Sequence, residues 1–181
     1  MEKSMKSLDD IVSAYPWPPL GHEAGYRQLL GFLLSDTNVT DPHFVAYMLG
    51  TIRHETAYTF APVEEWGHGA GHPYGVPDPA TGKVYYGRGY VQITWKDNYQ
   101  RFSGVAGVDL VQNPEEALDP AISYKIASAG MRLGMFTGKK FSDFVLPGGG
   151  YDYVNARRII NGLDQAETIA GYALMFYASI A

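Results

Sequence analysis

The sequence predicts a mainly helical fold whose two ends are helical and whose centre is rich in loops. Three observations carry this. Apolar residues recur at helical spacing in both flanks, glycine and proline gather in the middle, and two Asp-Pro pairs mark helix starts. With 181 residues and 46% hydrophobic content the chain can build one sizeable core, so a single domain over residues 1–181 is expected.

In chain order, helical patterns are expected at residues 25–34, 41–55, 119–135 and from 153 to the C-terminus. Asp41-Pro42 and Asp119-Pro120 each put an N-cap aspartate before a proline at the first helical position, where the missing N–H costs nothing. Residues 66–83, rich in glycine, proline and histidine, read as a long loop, a length that usually serves a function. Residues 84–94 read as a short hairpin or strand pair broken by Gly87 and Gly89.

Composition excludes several chemistries. There is no cysteine, hence no disulfide, no thiolate metal site and no cysteine nucleophile. A net charge of -5 provides no basic stripe for a phosphate backbone, so no nucleic-acid partner is expected. Asp9-Asp10 stand where a secretory signal would need apolar residues, and the uncharged tail at 169–181 is shorter than the roughly 20 residues a membrane span requires. No membrane insertion is expected.

The first candidate for chemistry is Glu55. Phe44, Val45, Met48, Leu49 and Ile52 form the buried stripe of a helix, and Glu55 continues it, so the carboxylate is expected against apolar neighbours that disfavour its charge. That environment suits a general acid; the alternative is a structural glutamate paired with Arg53 or Arg88. His54-Glu55 is not a zincin motif, because Tyr58 occupies the place of the second histidine. His68 and His72 lie four apart, but in a glycine-rich segment that holds no helix, and they are read as loop residues; no metal or cofactor is expected.

A general acid that works with a base-activated water needs a second carboxylate as that base; if it acts on a glycosidic bond with inversion, the two lie about 6.5–9.5 Å apart. Glu64 and Glu65 are the candidates, and in extended backbone only one of them faces a given side. The other is expected to be a solvated charge. Trp66 and Tyr74 in the following loop offer aromatic faces for a sugar ring. Strand alternation over residues 90–94 would put Gln92 and Thr94 on one polar face, an amide and a hydroxyl suited to an acetamido group and a water.

Tyr85 to Thr94, followed by Asn98-Tyr99, resembles the YYGRGPIQLS…NY signature of family 19 chitinases, within the lysozyme superfamily. His54-Glu55-Thr56 resembles their HET, and Ile159-Ile160-Asn161-Gly162 their IING. Gly107-Val108-Asp109-Leu110, Asn113-Pro114 and Asp119-Pro120 follow GVDLL.NP…DP in the same order. The resemblance implies a mainly α, two-lobed lysozyme-like fold with a small β-hairpin region lining the cleft, and an inverting mechanism. By the same resemblance Glu55 is the acid and Thr94 stands where the family has a water-holding serine. Gln92, Asn98, Asn161, Tyr86 and Trp66 are expected to touch substrate. Pro62 to Gly67 is similar to the PIxEYG of bacterial and phage members, which favours Glu65 as the base.

Departures from the pattern are Tyr90 for proline, Asp97 for tyrosine, and Glu167-Thr168 where relatives often carry an arginine. The compact, cysteine-free form resembles phage endolysins. The expectation is therefore a monomeric peptidoglycan hydrolase, made without a visible signal peptide and acting on the cell wall after release or delivery. A chitinase acting on N-acetylglucosamine polymers and a catalytically silent glycan binder are the alternatives.

Overall fold

The helix that precedes Glu55 is enclosed on every side. In the computed structural model, which describes residues 5–14 and 22–181, helix α3 runs Pro42–Glu55 behind Asp41, whose side chain accepts from the His43 amide at 2.8 Å. Every residue from Val45 to Ile52 is buried, so the apolar stripe seen in the sequence is only part of the buried surface. Tyr47, on the other side, is satisfied by donating to the Ala156 carbonyl at 2.8 Å.

By contacts the chain divides into two compact units, residues 1–60 with 128–181 and residues 61–127. The first holds α1 (Leu8–Ala14), α2 (Glu23–Ser35), α3, α6 (Tyr153–Ala156) and α7 (Ala166–Ile180). Tyr26, Phe60 and Phe176 form an aromatic cluster in its core. His43 stacks on Tyr177 with 4.1 Å between ring centroids. The helix expected from residue 153 to the C-terminus is broken. A 3-10 turn at Arg157–Ile159 follows α6, Asn161 accepts from the Gly162 amide with its own side chain, and Gln165 is left-handed at φ 56° before α7 begins. Asn-Gly is a turn pair, and it overrides the apolar periodicity on either side.

The second unit holds a two-stranded antiparallel sheet, β1 (Val63–Glu64) and β2 (Arg88–Gly89), with Val63 opposite Gly89 and Glu64 opposite Arg88. It also contains α4 (Lys96–Ala106), a 3-10 turn at Pro114–Leu118 and the first part of α5 (Pro120–Leu133). Asp119 caps α5 as expected, accepting from the amides of Ala121 and Ile122. The expected strand over residues 90–94 is absent. Residues 90–92 are a turn with Gln92 left-handed at φ 54°, closed where Arg88 and Ile93 exchange hydrogen bonds. Gln92 and Thr94 therefore do not share a strand face. Helices α1 and α4 were not foreseen; α4 ends on a left-handed Gly107. No helix among the described residues is long and apolar enough to cross a membrane.

Gly50 is the point of closest approach between α3 and α7. A Cβ there would sit 2.9 Å from the Ala173 nitrogen and 3.0 Å from the Ile169 carbonyl oxygen, both backbone atoms that cannot rotate away. Alanine gains about 1 kcal/mol of helix propensity over glycine, but forcing the two backbones apart costs about 1–3 kcal/mol. Gly50→Ala is thus expected to lower unfolding free energy by up to about 2 kcal/mol in a urea titration; a gain in stability would show that α3 and α7 have slack at this crossing.

Candidate active site

Glu55 closes α3 and is held by a cation. Its Oε1 accepts from Arg157 Nη1 at 2.7 Å, and the two side chains are only 17% and 5% exposed. Arg157 Nε in turn donates to the Asp164 carbonyl at 3.1 Å. The expected surround of apolar side chains alone is therefore corrected, and so is the expected partner. Arg53 instead lies 3.9 Å over the Tyr172 ring, and Arg88 belongs to the other unit. The sequence does carry a signal for this partner: Arg157 stands two residues before the Ile159-Ile160-Asn161-Gly162 motif.

In the second unit Glu64 and Glu65 diverge as adjacent extended residues must. Glu65 uses both carboxylate oxygens: Oε1 accepts from the Tyr74 hydroxyl at 2.8 Å and Oε2 from the Gly87 amide at 2.9 Å. Its own amide donates to the Gly87 carbonyl at 2.7 Å. Room for this exists because residue 87 has no side chain; a Cβ would lie 3.2 Å from Glu65 Cβ, 3.3 Å from its Oε2 and 2.9 Å from Gln92 Oε1. The Glu65 carboxylate beside it pushes the Tyr74 hydroxyl above the ordinary tyrosine range, so Tyr74 stays protonated and remains a donor.

Glu64 is not the free surface charge the sequence suggested. It accepts from the Tyr86 hydroxyl at 2.6 Å, lies 3.8 Å from Arg88 Nε and 3.6 Å from His68 Nε2. Burial, and then that bond, push the Tyr86 hydroxyl up. The Arg88 guanidinium is buried, stacks 3.6 Å over the Tyr86 ring, and donates to Val84 O and the Tyr99 hydroxyl. These contacts make Glu64 part of a cation and tyrosine cluster.

The remaining residues fall as follows. Gln92 Nε2 donates to Val63 O at 2.8 Å and Gly89 O at 2.9 Å, so its nitrogen braces the sheet while Oε1 stays near Gly87. Thr94 Oγ1 donates to Gln92 O, and Asn98 Nδ2 to Thr94 O at 2.7 Å, linking the turn to α4. Trp66 is almost fully exposed. Asn161 lies in the other unit, exposed in its turn. His68 stacks on Tyr86 and His72 on Tyr74, and no cluster of three or more potential metal ligands occurs among the described residues.

The profile of glycoside hydrolase family 19, described as chitinase class I, matches residues 27–133, more than half of the chain, and the chain belongs to that family. It is 53% identical over 49 residues to endochitinase A2 of Pisum sativum, covering 26% of this chain and 15% of that protein. With the basic endochitinase of Vitis vinifera it shares 35% over 119 residues, 58% of this chain and 38% of the relative. Inactive chitinase-like protein 1 of Hevea brasiliensis is 44% identical over 59 residues, 30% of this chain and 19% of its own. The chain thus spans less than two fifths of each of these relatives.

Among solved structures it resembles chitinase C of Streptomyces griseus, at TM-score 0.55 and 20% identity over 96% of this chain and 91% of that one. A class IV family 19 chitinase from Zea mays matches at TM-score 0.59 and 16% identity over 95% and 89%. The fold is the mainly helical, lysozyme-like one of this family.

Gly87→Ala is expected to push the Glu65 carboxylate off its two donors while leaving the buried core intact. A crystal structure of the variant should show the Glu65 to Gly87 amide bond broken and the melting temperature little changed; an unmoved Glu65 would mean that Gln92 absorbs the added methyl.

Proposed function

We propose that the protein is a glycoside hydrolase cleaving the β-1,4 bonds of N-acetylglucosamine polymers with inversion at the anomeric carbon. One observation carries the reading: the two glutamates at the family's signature positions are each fixed by donors, Glu55 by Arg157 and Glu65 by Tyr74 and Gly87. Groups that must transfer protons to and from fixed points on a sugar need such placement.

In this mechanism Glu55 donates a proton to the leaving glycosidic oxygen. Glu65 accepts a proton from the water that attacks the opposite face of the ring, and the Thr94 hydroxyl helps to hold that water. Asn98, Asn161, Tyr86, Trp66 and the free carbonyl end of Gln92 contact the sugars. The scheme uses no metal or cofactor.

The names of the relatives, endochitinases among them, support chitin as the polymer. The charge of -5 points the same way, because chitin is neutral and peptidoglycan is anionic. The preference for peptidoglycan drawn from the sequence rested on the compact, cysteine-free form and on the start of the chain, neither of which identifies the polymer. A second reading, glycan binding without cleavage, is favoured by the Hevea relative that is named inactive.

The test is to incubate purified protein with N-acetylglucosamine hexamer and with peptidoglycan and to follow products by mass spectrometry and NMR. Shorter oligomers carrying fresh α anomers are expected. Glu55→Gln and Glu65→Gln should each lower kcat by about 10²–10⁴ with melting unchanged, whereas Glu64→Gln should cost little. A β product would mean retention, a larger loss at Glu64 would move the base by one residue, and muropeptides as the sole products would replace chitin with peptidoglycan. Binding of intact hexamer without cleavage would favour the silent reading.

A further inference from the structure

The Glu65 unit carries a pocket that the proposed reaction does not use. It has a volume of about 300 Å³ and lies between the 73–79 segment and the start of α4. Its apolar wall is the Tyr74 and Trp95 rings with Val76 and Pro77, and its polar edge is Asp78 and Lys96. Tyr74 and Trp95 meet edge to face at 5.2 Å, and Trp95 keeps 51% of its surface exposed. A tryptophan so exposed has gained little from burial.

The Trp95 backbone is left-handed at φ 73°, a conformation that costs a bulky residue energy and that persists only where surrounding contacts over-determine it. Here its amide donates to Tyr85 O at 2.9 Å, and Tyr85 is itself pinned through its hydroxyl to Thr81 and Val111 O. The wall is pre-formed.

The polar edge is equally fixed. Asp78 Oδ1 accepts from the Ala80 and Thr81 amides, the Thr81 hydroxyl and Lys96 Nζ, the last at 2.9 Å. All of these reach Oδ1, which leaves Oδ2 as an acceptor at the pocket. Lys96 holds the carboxylate below the usual range, so it is ionised at neutral pH. A ligand that satisfies this pocket has an apolar face for the two rings and hydroxyls for a carboxylate and an ammonium, which are the features of a pyranose ring. The volume is at the lower end of small-molecule sites and suits one sugar unit.

We infer that the pocket formed by Tyr74, Trp95, Asp78 and Lys96 binds one N-acetylhexosamine unit of the polymer, outside the bond being cut. The identity of the ligand rests on the hydrolase reading above; the pocket itself does not. Tyr74 joins the two, because its ring walls the pocket while its hydroxyl holds Glu65. Occupancy therefore bears on the proposed base through one side chain.

The test is calorimetric titration of N-acetylglucosamine tetramer into the Glu55→Gln protein and into the same protein carrying Trp95→Ala or Lys96→Met. Loss of one aromatic face is expected to weaken binding about tenfold, about 1.4 kcal/mol, with Lys96→Met binding more weakly than the parent as well. Should Trp95→Ala melt far below the parent, Lys96→Met carries the test, since it keeps the apolar stem and removes only the charge. Unchanged affinity in the folded variants overturns the inference and leaves the hydrolase reading standing, and a parent that binds no tetramer overturns it too. A wild-type protein that leaves chitin intact while its tetramer binding still depends on Trp95 supports the pocket and removes the hydrolase reading alone.

Discussion

The geometry of the second unit depends on the missing side chain at residue 87. The Glu65 amide reaches the Gly87 carbonyl at 2.7 Å, and the Gly87 amide reaches back to the Glu65 carboxylate at 2.9 Å. This reciprocal pair extends the two-residue ladder of β1 and β2, which alone is too short to be stable. Beneath it the buried Arg88 ties the same segment to Tyr86, Tyr99 and Val84. Gly89, the next residue but one, is left-handed at φ 90°, and a Cβ there would lie 2.7 Å from Ser123 Oγ. The alternation of glycine, arginine and glycine therefore has a separate steric or electrostatic cause at each place.

The first unit fixes its carboxylate by different means. Arg157 and Glu55 are both largely removed from water, and a buried ion pair recovers in attraction roughly what it loses in desolvation. Its contribution is position rather than net stability. The guanidinium is planar and finds a second acceptor in Asp164 O, so it orients the carboxylate in a way that a lysine could not. This explains how the break after α6 serves the site. Had the helix continued from residue 153 to the end, the Asp164 carbonyl would have been spent on an intrahelical bond.

What the sequence made legible follows from how local each cause is. Caps at Asp41 and Asp119 were visible because the N-cap side chain, the proline and the first amides lie within four residues. The ends of α3 and α5 fell within two residues of the expected positions. The divergence of Glu64 and Glu65 was likewise a matter of adjacent backbone. Pairings across many residues were not legible: the Glu55 partner lies 102 residues away, and β2, besides its bridge to nearby Ile93, pairs with β1 across the long intervening loop. The C-terminal break was present in the sequence as Asn161-Gly162, but apolar periodicity outweighed it. The roles of individual site residues came from the family resemblance, since alternation by itself gave Gln92 and Thr94 a shared face that the turn removes.

That turn shows why polarity was a poor guide to Gln92. A left-handed residue other than glycine costs about 1–3 kcal/mol and needs compensation. Gln92 finds it in two hydrogen bonds from its own amide nitrogen, to Val63 O in β1 and Gly89 O in β2, each contributing about 1 kcal/mol. Glycine would relieve the backbone and lose both bonds. Asparagine tolerates the conformation better, yet it is one methylene shorter at a site where 2.8 and 2.9 Å contacts are made together. The side chain that looks from the sequence like a sugar contact is thus the tie across the two strands beside Glu65, with its carbonyl oxygen next to Gly87. A glutamine in this place serves the fold through the nitrogen end of its amide.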